Sequence, residues 1–402
     1  MSVTVDERAA AELRRRLADE LEETGDLRSP QWRKAVEAVP RHPFTCSFFR
    51  RIVGPGQTLW EPITAASAGV GTWLKLVYAN ETWVTQLDNR VLPGDVTEPA
   101  PGVPTSSSTL PGLVVRMLEW LDIRDGHNVL EIGAGSGYSA ALLCHRLGED
   151  RVTTIEVDTG VVARADAALE EVGYSPYLIT GDGLVGYPLR APYDRIIATC
   201  SVRHVPYTWV RQSSPGAVIL ATISGWLHAF GLVKLTVGAD GTAEGTGLPG
   251  TISFMPARPH TPPEITGAID ARTAYHDSER RARYGLEILD ATRPHGWASR
   301  FVAQLAAPGA QIASAQYADG PLITCLIDVD REAFATLTPA PNGGWTVRQG
   351  GPIGIWDDIE DAVMKWENAG SPAIEAFRIR VTRTEQVVWL DTDDGEARWA
   401  LP

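Results

Sequence analysis

The spacing of apolar residues near the start of the chain predicts two amphipathic helices. Leu13, Leu17 and Leu21 recur at intervals of four among arginines and glutamates, so they form one apolar stripe. Pro30 supplies a first-turn signal for a second short helix, which ends at the proline-rich segment 40–43. Both segments place their charged residues opposite the apolar face, as expected for helices that pack on a core.

A different pattern follows before residue 100. The run LKLVYANETWVTQL, residues 74–87, predicts two short strands on either side of Ala79-Asn80-Glu81. The proline- and glycine-rich stretch 92–104 predicts a linker. We therefore take residues 1–100 as an N-terminal helical and β-hairpin region.

The middle third of the chain alternates short β-branched runs with helical patterns. The predicted strands are Val129–Ile132, Val152–Glu156, Tyr177–Thr180, Arg195–Thr199 and Ala217–Thr222. Helices are predicted over Tyr138–Leu147 and Val161–Val172, between the first two pairs of strands. Apolar strands separated by helices are typical of βαβ units in a parallel sheet. Residues 101–260 are therefore predicted to form a doubly wound α/β domain.

Beyond the prolines of residues 256–263 the pattern changes to mixed helix and strand. The predicted elements are a charged helix over Ser278–Leu289, strands near Leu322–Val329 and Trp345–Val347, a helix over Ile355–Ala369, and a hairpin of Phe377–Val381 with Val387–Leu390 before a turn at Asp393-Asp394-Gly395. Six of the 13 tryptophans lie after residue 290. They can fill a core, which is the main interpretation, or anchor a bound peptide. Residues 261–402 are predicted to form an α+β domain for peptide recognition.

Composition and charge narrow the class of protein. The 402 residues carry 36 Lys+Arg against 50 Asp+Glu, a net charge of −14, so we expect no nucleic-acid partner. No uncharged apolar run is long enough to span a bilayer, and the amino terminus lacks a signal-peptide pattern. We expect a cytoplasmic protein with no membrane partner. The 4 cysteines lie far apart and the 8 histidines lack ligand spacing, so no disulfide framework and no metal site are expected.

The strongest local signal is VLEIGAGSGY at residues 129–138, where an apolar strand meets a glycine-rich turn and a helix. Glycines let the backbone approach a ligand, and free N–H groups at a helix start favour a negatively charged group. The third glycine comes one residue too early for a dinucleotide fingerprint. The segment resembles the first motif of class I S-adenosylmethionine-dependent methyltransferases; a purely structural turn is the alternative. The resemblance implies cofactor contacts from Glu131, Gly133, Ala134, Gly135 and Gly137.

Two further acidic residues stand where an adenosine would meet them. Glu156 ends the second predicted strand of the sheet, where a carboxylate can accept both hydrogen bonds of a ribose diol. Asp182, in a Gly-Asp-Gly turn after the third strand, can accept from an adenine amino group. Each alone could be a helix cap or a turn residue. Together they predict an S-adenosylmethionine site, with S-adenosylhomocysteine as the product, that also includes Val157 and Gly183.

A closer resemblance lies just upstream of the glycine-rich turn. The segment SSTLPGLVVRM, residues 107–117, resembles the T-I-S-x-P…M motif of protein-L-isoaspartate O-methyltransferases. Further matches to that family lie in segments 32–42, 181–183 and 191–199. In the family the serine of the motif lies at the methyl-acceptor site. The aligned residue here is Thr109, which keeps the hydroxyl but adds a methyl group.

Other segments resemble the C-terminally extended methyltransferases of ribosomal peptide pathways, those of graspetides and lanthipeptides. These segments are residues 77–88, 104–111 and 196–206 and the tryptophan-rich C-terminal region. The resemblance implies methylation of an aspartate side-chain carboxylate in a macrocyclised precursor peptide. The ester would then close to a succinimide (aspartimide), which persists or hydrolyses to aspartate and isoaspartate. The alternatives are isoaspartate repair, whose enzymes usually stop near the end of the α/β domain, small-molecule O-methylation, and a non-catalytic cofactor-binding peptide scaffold.

A carboxylate is already ionised at neutral pH, so its methylation depends on positioning more than on a base. Ser107, Ser108 and Thr109 are predicted to orient the acceptor carboxylate; helix capping before Pro111 is the alternative.

The loop after the fourth strand is predicted to lie beside the reactive methyl group. The residues concerned are Thr199 as a cofactor contact, Cys200 and Ser201 as substrate contacts, and His204 as a catalytic contact with the substrate carboxylate. The histidine could instead be satisfied by loop backbone. We expect Cys200 to pack, because methyl transfer needs no nucleophilic cysteine. The sequence leaves the oligomeric state open, a monomer included.

Overall fold

The computed structural model describes residues 4–54, 57–265, 276–316, 322–392 and 395–402. The chain divides into two compact units. One unit comprises Met1–Cys200 and Thr208–Leu220, and the other Ser201–Tyr207 and Ala221–Pro402. The three-part division at residues 100 and 260 stays a prediction.

The described helices lie in both units. They are α1 (Glu7–Glu23), α2 (Pro30–Ala38), α3 (Ala65–Ala68), α4 (Val70–Val77), α5 (Pro111–Trp120), α6 (Tyr138–Leu147), α7 (Thr159–Glu171), α8 (Tyr207–Arg211), α9 (Gly296–Ala306) and α10 (Ile355–Asn368). The two predicted N-terminal helices are confirmed as α1, which buries Leu17 and Leu21, and α2, which begins at Pro30. None of the described helices combines the length and apolar character that a bilayer-spanning segment needs.

The described strands lie between residues 47 and 400. They are β1 (Ser47–Gly54), β2 (Gln57–Thr64), β3 (Trp83–Leu87), β4 (Pro104–Ser108), β5 (Val129–Ile132), β6 (Val152–Glu156), β7 (Tyr177–Thr180), β8 (Tyr193–Val202), β9 (Ser213–Ser224), β10 (Phe230–Val237), β11 (Ala243–Gly247), β12 (Ser278–Arg281), β13 (Ala310–Gln316), β14 (Leu322–Asp328), β15 (Ala333–Pro339), β16 (Trp345–Gly350), β17 (Arg378–Val381), β18 (Gln386–Thr392) and β19 (Gly395–Ala400).

An antiparallel sheet in the order β2-β1-β3-β4 lies in the first unit. β3 pairs with β4, so that Trp83 is opposite Ser108 and Val84 is opposite Ser107. The segment with the predicted acceptor residues therefore runs into its turn from a paired strand.

The prediction of two strands over residues 74–87 is half wrong. Its second part is β3, but its first part lies in helix α4. Leu74, Leu76 and Tyr78 alternate as in a strand, whereas Trp73, Leu74 and Val77 are the helix residues that become buried. The burial pattern repeats with the period of a helix, so tertiary packing decides between the two interpretations.

The parallel sheet of the first unit has the order β9-β8-β5-β6-β7. β5 pairs in parallel with β6 and β8, and β6 pairs in parallel with β7. Helices α6 and α7 connect these strands as βαβ crossovers, and all five predicted strands are present. Because parallel strands end at one edge of a sheet, the segments after β5, β6 and β7 meet there.

The second unit is rich in antiparallel sheet. One group of strands has the order β10-β11-β17-β18-β19 and another the order β12-β16-β15-β14-β13. The predicted hairpin is confirmed as β17 and β18, while residues 393 and 394 of its predicted turn lie outside the described residues. The charged helix predicted over Ser278–Leu289 is wrong: residues 278–281 are edge strand β12. Its charges make cross-strand contacts such as Arg348 Nε to Glu279 Oε2 at 2.9 Å.

Tryptophans of the second unit belong largely to its core. Trp356 and Trp366 lie on the buried face of α10 with Ile359 and Val363. Trp389 in β18 is also buried. The interpretation as core is confirmed for these three tryptophans, whereas Trp297, Trp345 and Trp399 are half-buried.

We expect Trp356→Ala to destabilise the second unit by about 3–5 kcal/mol, because loss of a fully buried indole leaves a cavity and removes the hydrogen bond from Trp356 Nε1 to Glu360 Oε1. Urea unfolding followed by tryptophan fluorescence measures this. Asp361→Ala, at an exposed position of the same helix, is the control and should change stability by less than about 0.5 kcal/mol. Equal effects of the two substitutions would contradict the core assignment.

Candidate active site

The turn after β5 is built from glycines with positive φ. Gly133, Gly135 and Gly137 have φ angles of 92°, 54° and 92°, which disfavour residues with a side chain. At Gly133 a side chain would also collide, because its Cβ would lie 2.9 Å from Oγ1 of Thr199 in β8. The N–H of Gly133 donates to the carbonyl of Ile155 in β6 at 2.8 Å. The turn is therefore fixed between two neighbouring strands.

The same turn lies against the strand that carries the predicted acceptor residues. A Cβ on Gly135 would come within 3.4 Å of the carbonyl oxygen of Ser107 in β4. Gly137 is the N-cap of α6, and no side chain in the described parts of the chain caps it. The N–H of Ala134, between the first two glycines, donates to Ile155 O at 3.1 Å. The structure thus brings together the glycine-rich turn and the segment 107–109.

Glu131 secures the strand that leads into this turn. Its side chain is fully buried and accepts hydrogen bonds from Ser139 Oγ in α6 and from Thr154 Oγ1 in β6, the latter at 2.6 Å. Burial raises the pKa of Glu131 to about 7, although the two hydroxyl donors act in the opposite direction. The carboxyl group therefore joins strand and helix behind the turn, and its predicted contact with the cofactor stays a prediction.

Glu156 lies at the carboxyl end of β6 and faces the glycine-rich turn. Its Oε2 accepts from the N–H of Gly135 at 3.1 Å, and its Oε1 accepts from Val157 and Asp158 at 2.9 and 3.1 Å. Three backbone donors fix the carboxylate, and Oε2, which accepts only one of these bonds, keeps lone-pair capacity for a hydroxyl of a diol. Val157 beside it is 42% exposed.

The turn after β7 supplies the third predicted element of a nucleoside site. Asp182 is exposed, and its Oδ1 accepts from the N–H of Leu184 at 2.9 Å. Gly183 packs so closely on β5 that a Cβ would lie 2.4 Å from Cγ2 of Ile132. This hydrogen bond to Leu184 fits the alternative that Asp182 is a turn residue. The contact of Asp182 with adenine stays a prediction.

Ser107, Ser108 and Thr109 differ sharply in their surroundings. Ser108 is buried, and its Oγ accepts from Thr45 Oγ1 at 3.0 Å and from Arg41 Nη2 at 3.3 Å. Ser107 and Thr109 are half-buried, and among the described residues their hydroxyls have no hydrogen-bond partner. Two hydroxyls of the predicted three thus remain free to meet an acceptor, and the third has a structural role.

The alternative that these residues cap helix α5 is wrong. The N-cap of α5 is Leu110, which forms no side-chain cap. The N–H of Leu110 donates to Thr82 Oγ1 at 3.0 Å, and the N–H of Gly112 donates to Asn80 Oδ1 at 2.8 Å. Residues from the loop before β3 take over the capping, a pairing across 28 and 32 residues of sequence.

Thr199 and Cys200 end the part of β8 that belongs to the first unit. Thr199 Oγ1 donates to the carbonyl oxygens of Ile132 and Gly133, so the hydroxyl orients the turn. Burial, with a smaller contribution from Glu156, raises the pKa of the Cys200 thiol to about 12. A thiol that stays protonated is a poor nucleophile, in agreement with the predicted packing role.

Ser201 and His204 belong to the second unit. The Ser201 hydroxyl is fully buried; it donates to Phe254 O at 3.1 Å and accepts from Ser224 Oγ at 2.8 Å. The His204 ring lies 4.8 Å from that of His260, centroid to centroid, and burial lowers the pKa of His204 so that it is neutral at pH 7. The described contacts are structural, and the substrate roles of both residues stay predictions.

A cavity of about 420 Å³ in the first unit borders the glycine-rich turn. Its lining includes Gly135 and Ser136 of the turn, Ser106 of β4, Phe44 and Arg164. Within the residues that the structure describes, no group of three or more His, Cys, Asp or Glu side chains could hold a metal ion.

Comparison with known proteins agrees with this architecture. A solved structure titled protein-L-isoaspartate O-methyltransferase is 18% identical, has a TM-score of 0.50 and covers 96% of this chain and 98% of its own. That likeness shows the fold alone: the class I methyltransferase fold, Rossmann-like α/β, with an additional sheet-rich C-terminal region. The fold class predicted from the sequence is confirmed.

Sequence comparison identifies the family. Residues 100–240 match the model of Protein-L-isoaspartate(D-aspartate) O-methyltransferase (PCMT). The protein-L-isoaspartate O-methyltransferase of Thermococcus sibiricus is 39% identical over 145 residues, 35% of this chain and 65% of that protein. That of Anaeromyxobacter dehalogenans is 37% identical over 158 residues, 39% of this chain and 73% of that protein. The chain belongs to the protein-L-isoaspartate O-methyltransferase family.

The matched region covers only part of the length of these relatives. It spans 65% of the Thermococcus sibiricus protein and 52% of the Methanosarcina mazei protein of the same name. The sequence likeness therefore concerns the parallel-sheet region that carries the candidate site.

The raised pKa of Glu131 makes a measurable contribution to pH-dependent stability. A carboxyl group with a pKa near 4.5 when unfolded and about 7 when folded stabilises the fold most below pH 4.5 and loses this contribution as the pH rises through 7. The loss amounts to about 3 kcal/mol. We expect Glu131→Gln to gain stability relative to the wild type between about pH 5 and about pH 8. Urea unfolding at both pH values measures it, and a pH-independent difference between the two proteins would contradict it.

Proposed function

We propose that this protein is an S-adenosylmethionine-dependent O-methyltransferase that esterifies an aspartate or isoaspartate carboxylate of a peptide or protein. The observation that carries the proposal is the contact between two motifs: Ser107 O lies 3.4 Å from where a Cβ of Gly135 would be. The acceptor segment and the glycine-rich turn thereby border one space. Membership of the protein-L-isoaspartate O-methyltransferase family supports the same activity.

The residues around the turn fit the proposed cofactor. S-adenosylmethionine supplies a methyl group on a sulfonium, and its transfer to a carboxylate oxygen leaves a neutral methyl ester and S-adenosylhomocysteine. The carboxylate of Glu156 would hold the ribose diol, and Asp182 and the exposed Val157 would hold the adenine. The glycines leave room at the turn where any Cβ would fill it, and the uncapped start of α6 offers N–H donors to the carboxylate of the methionine part.

On the acceptor side the chain needs to orient a group rather than to activate it. A carboxylate is the ionised, nucleophilic form at pH 7. Hydroxyls that donate single hydrogen bonds can orient it without the strong charge pairing that would lower its reactivity, and Ser107 and Thr109 have hydroxyls without partners among the described residues. Alignment of a reacting pair supplies about 7–11 kcal/mol in the best intramolecular cases. We propose that Ser107 and Thr109 act in this way.

For the acceptor itself we propose an aspartate of a macrocyclised ribosomal precursor peptide, with isoaspartate repair as the second candidate. The first rests on the sequence resemblance over nearly the whole chain. The second gains support from the solved structure of that title, whose fold extends over 96% of this chain. The C-terminal region therefore does not by itself distinguish a peptide-pathway enzyme from a repair enzyme, although repair enzymes were expected to stop near the end of the α/β domain.

Mass spectrometry after incubation with S-adenosylmethionine tests the reaction. We expect a peptide heavier by one methylene unit, followed by a succinimide one water lighter than the starting peptide, because an ester is a better electrophile than a carboxylate. A linear isoaspartyl peptide and a macrocyclised aspartyl precursor should be compared with their Asn counterparts as controls. Methylation of the linear peptide alone would select repair. No mass change on any carboxyl substrate, despite cofactor binding, would favour the scaffold alternative.

Glu156→Gln should weaken S-adenosylhomocysteine binding about ten- to a hundredfold, because charged hydrogen bonds to a diol are stronger than neutral ones. Calorimetric titration measures the dissociation constant. The control is Glu170→Gln, an exposed residue of α7, which should leave affinity unchanged. Equal affinities of wild type and Glu156→Gln would remove Glu156 from the cofactor site.

A further inference from the structure

One buried arginine connects the acceptor segment with the loop before β3. Arg41 is fully buried and donates from Nη1 to Val77 O at 2.8 Å and to Ala79 O at 2.9 Å. From Nη2 it donates to Glu81 O at 3.0 Å. The same Nη2 reaches Ser108 O at 3.3 Å, Ser108 Oγ at 3.3 Å and Thr109 O at 3.1 Å. Nη2 thus bonds both segments of the chain, 77–81 and 108–109, while Nη1 bonds only the first.

Burial of this guanidinium has a high free-energy cost. Among the described residues no carboxylate lies within ion-pair distance of it, and its Nε has no partner. Burial lowers the pKa of Arg41 to about 10, so it is still charged at neutral pH. A buried charge that is neutralised only by carbonyl dipoles destabilises the fold relative to an apolar side chain of the same size. Its presence in the interior points to a requirement beyond core packing.

The bonded carbonyls lie at the candidate acceptor site. Ser107 O touches the glycine-rich turn, and Ser108 O and Thr109 O are the next two carbonyls along the chain. Since a hydroxyl moves with its own backbone, a clamp on residues 108 and 109 sets where Ser107 and Thr109 present their free hydroxyls. Displacement of a reacting group by about 1 Å can cost about a hundredfold in rate.

We propose that Arg41 is a positioning residue for methyl transfer: it holds segment 107–109 against the glycine-rich turn without touching substrate. The proposal rests on the proposed function. Arg41 lies in segment 32–42, which resembles the protein-L-isoaspartate O-methyltransferase family, but that resemblance did not assign a role to this arginine.

The substitution Arg41→Lys distinguishes the effect of the positive charge from the effect of the guanidinium geometry. An ammonium keeps the positive charge but is a single point with three donors, whereas the guanidinium fork bonds in two directions at once. Arg41→Lys has one nitrogen in place of Nη1 and Nη2, so it cannot replace the bonds of both nitrogens at once.

Arg195 provides a matched control in the same unit. It is also buried and donates to the carbonyls of Leu121 at 2.6 Å, Asp122 at 2.9 Å and Asp194 at 2.7 Å. It lies beside Val129 at the amino ends of the parallel strands, the edge opposite the candidate site. Arg195→Lys should cost stability without altering the acceptor segment.

The test compares Arg41→Lys, Arg195→Lys and Thr109→Val by kcat, by KM for each substrate, and by hydrogen exchange of amides 107–110. We expect Arg41→Lys to lower kcat at least about tenfold with KM for S-adenosylmethionine within about twofold, and to speed exchange at 107–110. Arg195→Lys should neither lower kcat nor speed exchange at amides 107–110, even where it lowers the thermal stability as much as Arg41→Lys does. Because Arg41 acts through Thr109, the double variant Arg41→Lys/Thr109→Val should lose less than the product of the single losses.

A folded Arg41→Lys that keeps wild-type kcat and exchange, or that behaves as Arg195→Lys does, would overturn the proposal. If Arg41→Lys does not fold, Ser108→Ala removes one acceptor of the clamp; we expect a smaller drop in kcat and faster exchange at 107–110, and wild-type values for both would overturn the clamp. A wild-type protein that methylates no carboxyl substrate refutes the proposed function instead, while hydrogen exchange still decides whether Arg41 holds the segment.

Discussion

Backbone with positive φ at three alternate glycines is the constraint on which the rest of this structure depends. At Gly133 the conformation and the 2.9 Å approach of Thr199 Oγ1 exclude a side chain independently. The absence of side chains lets β4 approach the turn as closely as it does at Gly135 and Ser107. A single larger residue at Gly133 would therefore disturb both the ligand-facing surface of the turn and the strand beside it.

Two buried ionisable groups hold the surroundings of that turn in place. Glu131 anchors α6 and β6 behind it through hydroxyl donors, and Arg41 anchors the acceptor segment through carbonyl acceptors. Burial raises the pKa of Glu131 and lowers the pKa of Arg41, because in both cases removal from water disfavours the charged form. Neither group has an oppositely charged partner within ion-pair distance among the described residues, so both depend on the geometry of neutral dipoles.

The second unit gives the family fold an additional sheet-rich region. Its tryptophans are used first for packing, as Trp356, Trp366 and Trp389 show. The solved structure titled protein-L-isoaspartate O-methyltransferase covers 96% of this chain, so the likeness in fold includes this additional region. The candidate site residues 107–109, 131–137 and 156 all belong to the first unit.

The sequence alone determined the elements whose period is local. β5 and α6 begin and end where the apolar pattern and the glycines predicted, because side-chain spacing, φ preference and capping act within a few residues. It could not determine α4 or β12, since alternation and charge are compatible with either element until packing chooses one. It also could not determine that Arg41 binds Ser108 and Thr109, a contact across 67 and 68 residues. Only the tertiary structure decides which distant carbonyls meet a buried charge, because that choice is made by the packing of whole elements.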